Sequence, residues 1–229
     1  MESWCHALWK RWEGVKERLQ RIKGLTIELR PEMRHFTTFR IGGRVLALLD
    51  VRNDEQLEEV ITLCEVYGVP WRILGRGSNI LVRDLGFDGV VLRLRGDFAA
   101  VKRLDDTRVE FGAGTSLQEA VEFCVQQRLG GCEFLFGVPG TVGGAVLLNA
   151  GCFGGEIGHL VEKVLWRNGE GQREWKGREK ITFSYRYSNL KQEKTVVLKV
   201  VLQLFPQEPD RSREMIKRFS CLRRNAQPL

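Results

Sequence analysis

The sequence predicts an α+β chain of two successive mixed blocks, and three observations carry that reading. Apolar residues recur at helical spacing near residues 4–22, 54–67, 116–128 and 210–224. Short runs rich in Val, Ile, Leu and Trp lie between these stretches, bounded by Gly and Asp, as strands are. A dense glycine run at 136–156, flanked by apolar rather than Ser- or Gln-rich sequence, belongs to ordered backbone and not to a flexible linker.

In chain order, Trp4, Leu8, Trp12, Val15, Leu19 and Ile22 mark an amphipathic N-terminal helix over 4–22, placed on the body of the protein rather than on a membrane because acids mix with its bases. Residues 44–51 read as a strand. Asn53 or Asp54 caps the next helix, which turns Leu57, Val60, Ile61, Cys64 and Tyr67 inward and ends at Gly68 and Pro70. Strands are expected at 71–74, 80–82 and 90–94, closing a βαββ-like block at about residue 95.

The second block opens with a hairpin, 98–104 and 108–111, around Asp105 and Asp106. Ser116 and Glu119 form a capping box for a helix to about Arg128. After the glycine run come strands at 161–167, at Glu174 and Trp175, and at 195–205; the last is mostly apolar, as a central strand is. A charged helix over 210–224 carries Met215, Ile216, Phe219 and Leu222 and begins a third block. The expected divisions are 1–24, 25–96, 97–206 and 207–229.

A chain of 229 residues with 43% hydrophobic and 28% charged residues has the composition of a soluble globular protein. It has no apolar run of membrane-spanning length and no apolar signal core after Met1, which places it in the cytoplasm. Six cysteines without a C-x-x-C pair and three histidines give no ordinary zinc spacing, so no metal is expected and the thiols are read as reduced and buried. The net charge of +7 suits anionic partners or a plain basic surface; no nucleic-acid-binding motif accompanies it.

Four segments carry chemistry. Gly75, Arg76, Gly77, Ser78, Asn79 and Ile80 follow a strand but lack the third glycine of a dinucleotide fingerprint; they read as an ordinary turn or as an anion nest. Thr38, Phe39, Arg40, Ile41, Gly42 and Gly43 set a glycine pair beside a cation. The run 136–156 is either a turn-rich packed core or a backbone pressed against a flat ligand. Phe183, Ser184, Tyr185, Arg186, Tyr187 and Ser188 form a loop in which Arg186 either stacks on a tyrosine or positions an anion.

The order and spacing of these four segments resemble the bacterial UDP-N-acetylenolpyruvoylglucosamine reductases, over about residues 25–229. The resemblance implies the FAD-binding fold of the vanillyl-alcohol oxidase (PCMH) type, with two α+β subdomains and a third, substrate domain. It implies non-covalent FAD, NADPH as co-substrate and a UDP-sugar enolpyruvyl ether as substrate. Hydride would pass from NADPH, by way of FAD, to the enolpyruvyl double bond, in a step of peptidoglycan synthesis, cell-wall biogenesis, cell shape and division. By motif it implies cofactor contacts at Arg40, Gly42, Gly75, Arg76, Gly77, Ser78, Asn79, Ile80, Gly114, Gly137, Val138, Pro139, Gly140, Thr141, Gly143, Gly144, Asn149, Gly151, Glu156 and Ile157. Arg186 would be catalytic and, with Tyr185, would bind substrate. The short span from Ser188 to Gln207 leaves no room for the tyrosine-bearing loop of one subtype.

The family's proton donor, a Ser or Cys in G-[SC]-x-F, lies shortly after the segment that resembles Arg223 to Leu229, where the sequence stops. The expectation is a chain lacking that donor and the family's C-terminal glutamate. It is then either the reductase without its substrate domain or a non-catalytic FAD-binding fragment. Cys152 stands where the family usually has a small residue, and packing is its simplest reading.

Overall fold

Val45–Val51 is an almost unbroken apolar run, the pattern of a strand buried on both faces. In the computed structural model it lies inside a four-stranded sheet. The structure describes residues 2–192 and 194–226, with side chains from residue 11 onward. The chain divides into two units, residues 1–97 and 98–229.

The first unit holds α1 (Glu2–Leu19), β1 (Thr26–Leu29), β2 (Val45–Val51), α2 (Asp54–Val66), β3 (Trp71–Ile73) and β4 (Phe87–Leu94). The strand order is β1-β2-β4-β3; β2 and β3 run parallel to β4, and β1 runs antiparallel to β2. Asn53 caps α2, its side chain accepting from Gln56 N at 2.9 Å. Leu57, Val60, Ile61 and Cys64 of α2 are buried, whereas Tyr67 is the C-cap and sits half-buried, with the Arg18 guanidinium over its ring.

Two expectations for this unit are corrected. α1 ends at Leu19 and not at residue 22: tighter i to i+3 bonds, Arg21 N to Arg18 O and Ile22 N to Leu19 O, unwind the last turn while Ile22 stays buried. Trp4, Cys5 and Leu8 have side chains outside those described. Residues 80–82 form no strand. Their alternation is real, since Ile80 and Val82 pack on the Met33, Val45, Leu48, Leu74 and Val91 cluster while Leu81 is exposed, but among the described residues none pairs with them in a ladder. β1 carried no expectation; it is a four-residue, mostly exposed edge strand with little apolar signal.

The second unit holds β5 (Val101–Arg103), β6 (Arg108–Gly112), α3 (Leu117–Gln126), β7 (Leu129–Gly130), α4 (Val142–Leu147), β8 (Gly151–Cys152), β9 (Gly155–Glu156), β10 (Val161–Arg167), β11 (Arg173–Gly177), β12 (Phe183–Ser184), β13 (Tyr187–Ser188), β14 (Val196–Gln203), β15 (Phe205–Pro206) and α5 (Pro209–Ala226). Its main sheet has the order β11-β10-β14-β6-β5, so the apolar β14 is the middle strand. Ser116 and Glu119 form the capping box of α3, with Ser116 N donating to Glu119 Oε2 at 3.0 Å and Glu119 N to Ser116 Oγ at 3.1 Å. α3 stops at Gln126, with Arg128 in the left-handed region beyond it.

In this unit the hairpin's first strand is shorter than 98–104, because Gly96–Ala99 turns as a 3-10 helix before Val101. The run 195–205 breaks at Leu204, whose N–H donates to Thr107 O, and Phe205 pairs with Gly130 in a separate ladder. Not every described thiol is buried: Cys152 is half-buried and Cys221 exposed, while Cys64, Cys124 and Cys132 lie in the core. Burial pushes the Cys64 thiol up to about 12. α5 packs against the second unit. Ser212 is fully buried, and its hydroxyl donates at 2.8 Å to Glu133, itself 2% exposed, which also accepts from Gln207 Nε2 and Gly131 N. Gln227, Pro228 and Leu229 lie outside the described residues. No described helix is long and apolar enough to cross a membrane.

Candidate functional site

In the first unit, the loops 36–43 and 75–80 are laced together. Thr37 is buried; its hydroxyl donates to Ile41 O at 2.9 Å and its carbonyl accepts from Arg40 N, folding the 37–41 turn. Thr38 N donates to Gly77 O at 3.0 Å. Gly77 has φ +69°, and a Cβ there would overlap the Phe36 carbonyl, so only glycine lets these loops meet. Arg40 and Gly42 are thereby joined to Gly75, Arg76, Gly77, Ser78, Asn79 and Ile80. Arg40 and Arg76 are exposed.

In the second unit, the glycine run is shaped by three close approaches. Thr141 bridges Ser116, Val142 N donates to Thr115 O at 2.9 Å, and Gly143 N donates to Ala113 O at 2.9 Å. This sets Gly114 beside the entry to α4. Thr141 caps α4, its hydroxyl accepting from Gly144 N at 3.3 Å.

The glycines of the run differ in what explains them. A Cβ at Gly143 would come within 2.7 Å of Ala113 Cβ, so packing forbids it. A Cβ at Gly140 would meet Leu117 Cδ1 at 3.4 Å, and one at Gly144 would meet Thr141 Oγ1 at 3.4 Å; both are ordinary contacts. Neither residue needs a positive φ. Gly140 and Gly144 thus leave bare backbone that no atom of the described residues requires. Thr115 Oγ1, within a residue only 1% exposed, has no hydrogen-bond partner among the described residues. A bare backbone face beside an orphaned hydroxyl fits a flat, polar-edged cofactor.

Beyond α4, Asn149 is a hub. It has φ +45° and is 3% exposed. Its Nδ2 donates to Glu156 Oε2 at 2.7 Å and to Ser184 O at 3.2 Å, while its Oδ1 accepts from Gly158 N at 3.0 Å. Both amide protons of Asn149 are therefore used within the protein; the side chain positions Glu156, Ile157 and the 183–188 segment. Gly151 must be glycine because a Cβ would overlap Gly155 O, and Ile157 is fully buried. Gly137, Val138 and Pro139 lie at the partly exposed start of the run.

The 183–188 segment is a two-residue hairpin and not the expected loop: Phe183 pairs with Ser188 and Ser184 with Tyr187. Tyr185 and Arg186 form its tip, with Arg186 at φ +56° and Tyr185 88% exposed. The fully buried Ser188 donates from Oγ to Leu147 O at 3.1 Å, fastening the stem to the end of α4. The second unit thus brings together 137–144, 149–157 and the Arg186 tip.

Sequence reasoning missed Arg223. Its Nη2 donates to Phe136 O at 3.2 Å and to Cys152 Sγ at 3.4 Å, and its guanidinium lies 5.5 Å from the centroid of the Phe153 ring, which stacks on Phe219. The signal was the Phe219–Arg223 spacing on one face of α5, which pointed to no partner until α5 was seen to pack on the glycine run.

Comparison with known proteins bears on the family and the fold. Residues 45–171 match the FAD binding domain family. UDP-N-acetylenolpyruvoylglucosamine reductase from Heliobacterium modesticaldum is 36% identical over 91% of this chain and 66% of its own length. That from Anoxybacillus flavithermus is 35% identical over 94% and 72%. The chain belongs to the UDP-N-acetylenolpyruvoylglucosamine reductase family. The crystal structure of the family's enzyme from Thermus caldophilus superposes with a TM-score of 0.77 at 32% identity, covering 90% of this chain and 71% of that one. Cholesterol oxidase from Brevibacterium sterolicum, at 12% identity and a TM-score of 0.54 over 80% of this chain and 38% of its own, shares the fold alone. The fold is therefore the expected α+β FAD-binding type. The chain spans about two thirds of the length of the relatives it matches.

Proposed function

We propose that the chain is the FAD-holding part of a reductase that uses NADPH to reduce the enolpyruvyl ether of UDP-N-acetylglucosamine to UDP-N-acetylmuramate, in the cytoplasm, for peptidoglycan synthesis. The observation that carries this is the bare backbone at Gly140 and Gly144, in the unit that also displays Arg186. The relatives' printed name supplies the reaction.

Gly140, Thr141, Gly143 and Gly144, with Gly114 and Gly137 beside them, would present backbone to the cofactor; Gly75, Gly77, Ser78, Asn79, Arg40 and Arg76 would hold its diphosphate through N–H groups and cations. When bound, FAD supplies hydride transfer between NADPH and the double bond. Arg186 would hold the enolpyruvyl carboxylate with its planar fork and stabilise negative charge that develops beside it. Its aim depends on Ser188 and Asn149, which fasten the hairpin stem to the glycine run. Tyr185 at the tip would cover the substrate. The finishing proton is assigned to the family's G-[SC]-x-F segment, and α5 is the lead-in to the substrate domain that carries it.

The test is FAD uptake by the purified chain, followed by NADPH oxidation dependent on the enolpyruvyl substrate in a chain extended with the family's C-terminal domain. FAD uptake without substrate reduction in the extended chain would leave only a flavin-binding fragment. A colourless chain that takes up no FAD would end both readings.

A further inference from the structure

The first unit carries an open concavity of about 610 Å³ that shares Arg40 and Gly42 with the proposed FAD contacts, while Arg30, Arg34 and Arg44 lie outside them. Arg30, Arg34, Arg40 and Arg44 line it, with Glu32 and Asp84 as the carboxylates among the described lining residues. Its walls are three backbone segments stitched into one piece. Met33 N donates to Gly43 O and Arg34 N to Gly42 O, at 3.0 and 3.1 Å; Gly43 N donates to Arg83 O at 2.9 Å, and Phe87 N to Arg44 O at 3.0 Å. A Cβ at Gly43 would overlap the Asp84 carbonyl, and one at Gly86 the Arg44 carbonyl, so the segments touch backbone to backbone. The arginines therefore stand on a fixed floor rather than on a mobile loop.

Two features separate this group from an ordinary solvated face. Glu32 is shared: its carboxylate pairs with Arg34 through Oε2 and with Arg44 at 3.4 Å through Oε1. Desolvation raises the Glu32 carboxyl, but the attraction of Arg34 and Arg44 together outweighs it and holds the group ionised below its usual range. One carboxylate between two guanidinium groups leaves cationic charge over, and both arginines remain more than half exposed. In addition, Arg30 and Arg40 sit at φ +51° and +55°. Glycine or asparagine takes that conformation at lower cost; backbone bonds from Arg30 N to Leu46 O and from Arg40 N to Thr37 O, both 3.1 Å, hold these two arginines in it.

We propose that this concavity is a second anion site, built to take the phosphate groups of a nucleotide. The inference rests on the reductase reading for its ligand, since both nucleotides of that reaction fit: the 2′-phosphate of NADPH and the diphosphate of the UDP-sugar. Arg34 and Arg44, already oriented by Glu32, offer paired forks to phosphate oxygens, and Arg40 closes the side next to the 75–79 loop. Exposed Ile41 and Leu85 on the rim give a base or ribose an apolar edge to lie on.

The experiment is calorimetric titration of inorganic pyrophosphate into the FAD-loaded chain, with flavin content read in parallel. Wild type binds saturably. Arg34→Ala/Arg44→Ala weakens binding about tenfold or more with flavin content unchanged. Arg211→Ala/Arg218→Ala, which removes equal charge from exposed positions on α5, leaves it intact. Displacement of pyrophosphate by adenosine 2′,5′-bisphosphate assigns the site to the nicotinamide nucleotide; displacement by UDP assigns it to the substrate. Absence of saturable binding, or equal weakening in the two double variants, overturns the proposal. So does loss of flavin together with pyrophosphate in Arg34→Ala/Arg44→Ala, because the concavity would then be part of the FAD cradle. If wild type takes up no FAD yet binds pyrophosphate through Arg34 and Arg44, the reductase reading falls and the anion site stands.

Discussion

Alanine at Gly144 and alanine at Gly143 separate cofactor contact from packing at adjacent positions. Both residues lie in α4, where glycine costs about 0.5–1 kcal/mol relative to alanine. At Gly144 the added Cβ meets only Thr141 Oγ1, at 3.4 Å. Gly144→Ala is therefore expected to raise the stability of the flavin-free chain by up to about 1 kcal/mol, or about 2–4 °C in midpoint for a chain of this size. At Gly143 the Cβ would stand 2.7 Å from Ala113 Cβ and 3.1 Å from Ala113 O. That overpacking costs about 1–3 kcal/mol and reverses the sign. The assay is thermal unfolding of the flavin-free chains by far-ultraviolet circular dichroism, with FAD titrated into each at a temperature where all are folded. Gly144→Ala should be the more stable protein and the poorer flavin binder. If it binds FAD as wild type does, the bare backbone at 140–144 has no ligand. If it unfolds below wild type, the reading of its environment is wrong.

Other perturbations probe the rest of the account. Arg186→Ala, in a chain extended with the family's C-terminal domain, should keep FAD and lose about 10²–10³ in kcat, measured by NADPH oxidation; unchanged turnover would remove Arg186 from the site. Ser188→Ala deletes the donor to Leu147 O within a fully buried contact. It should cost about 1–3 kcal/mol in urea unfolding and speed amide exchange in 183–188. Asp105 is held down, from an ordinary 3.8 to about 2, by the Thr107 backbone N–H and then by the Arg108 side chain. Its stabilisation is complete above about pH 4 and is lost as the pH falls through 2, so Asp105→Asn should flatten that limb of an acid unfolding curve.

What was legible in the sequence was local. The Asn53 cap, the Ser116–Glu119 capping box and the 161–167 strand each rest on residues within a few positions of one another. β14 was legible as a central strand because nearly every residue in it is apolar, which only a strand buried on both faces requires. Patterns with two physical causes misled. Ile80 and Val82 alternate with Leu81 because they pack on the Met33 cluster, and alternation alone does not reveal whether a partner strand lies alongside. Tyr185 and Arg186 carry no Gly or Asn to announce a two-residue turn; Ser188 and Asn149, both anchored elsewhere in the unit, hold the hairpin instead. Contacts between distant positions were invisible. Glu133 meets Ser212, and Arg223 meets Cys152, only after the chain has folded back on itself, so the sequence of the charged helix named neither partner. The concavity at Arg30, Arg34, Arg40 and Arg44 gathers residues from both sides of a strand connection; only Arg40 stood in a recognisable motif.

The most direct test of the central claim is equilibrium titration of the purified chain with FAD. The account predicts saturation at one FAD per chain, and loss of that binding in Gly144→Val, whose larger side chain would stand where the cofactor lies. A wild-type chain without saturable FAD binding, or a Gly144→Val chain that binds it equally well, would contradict it.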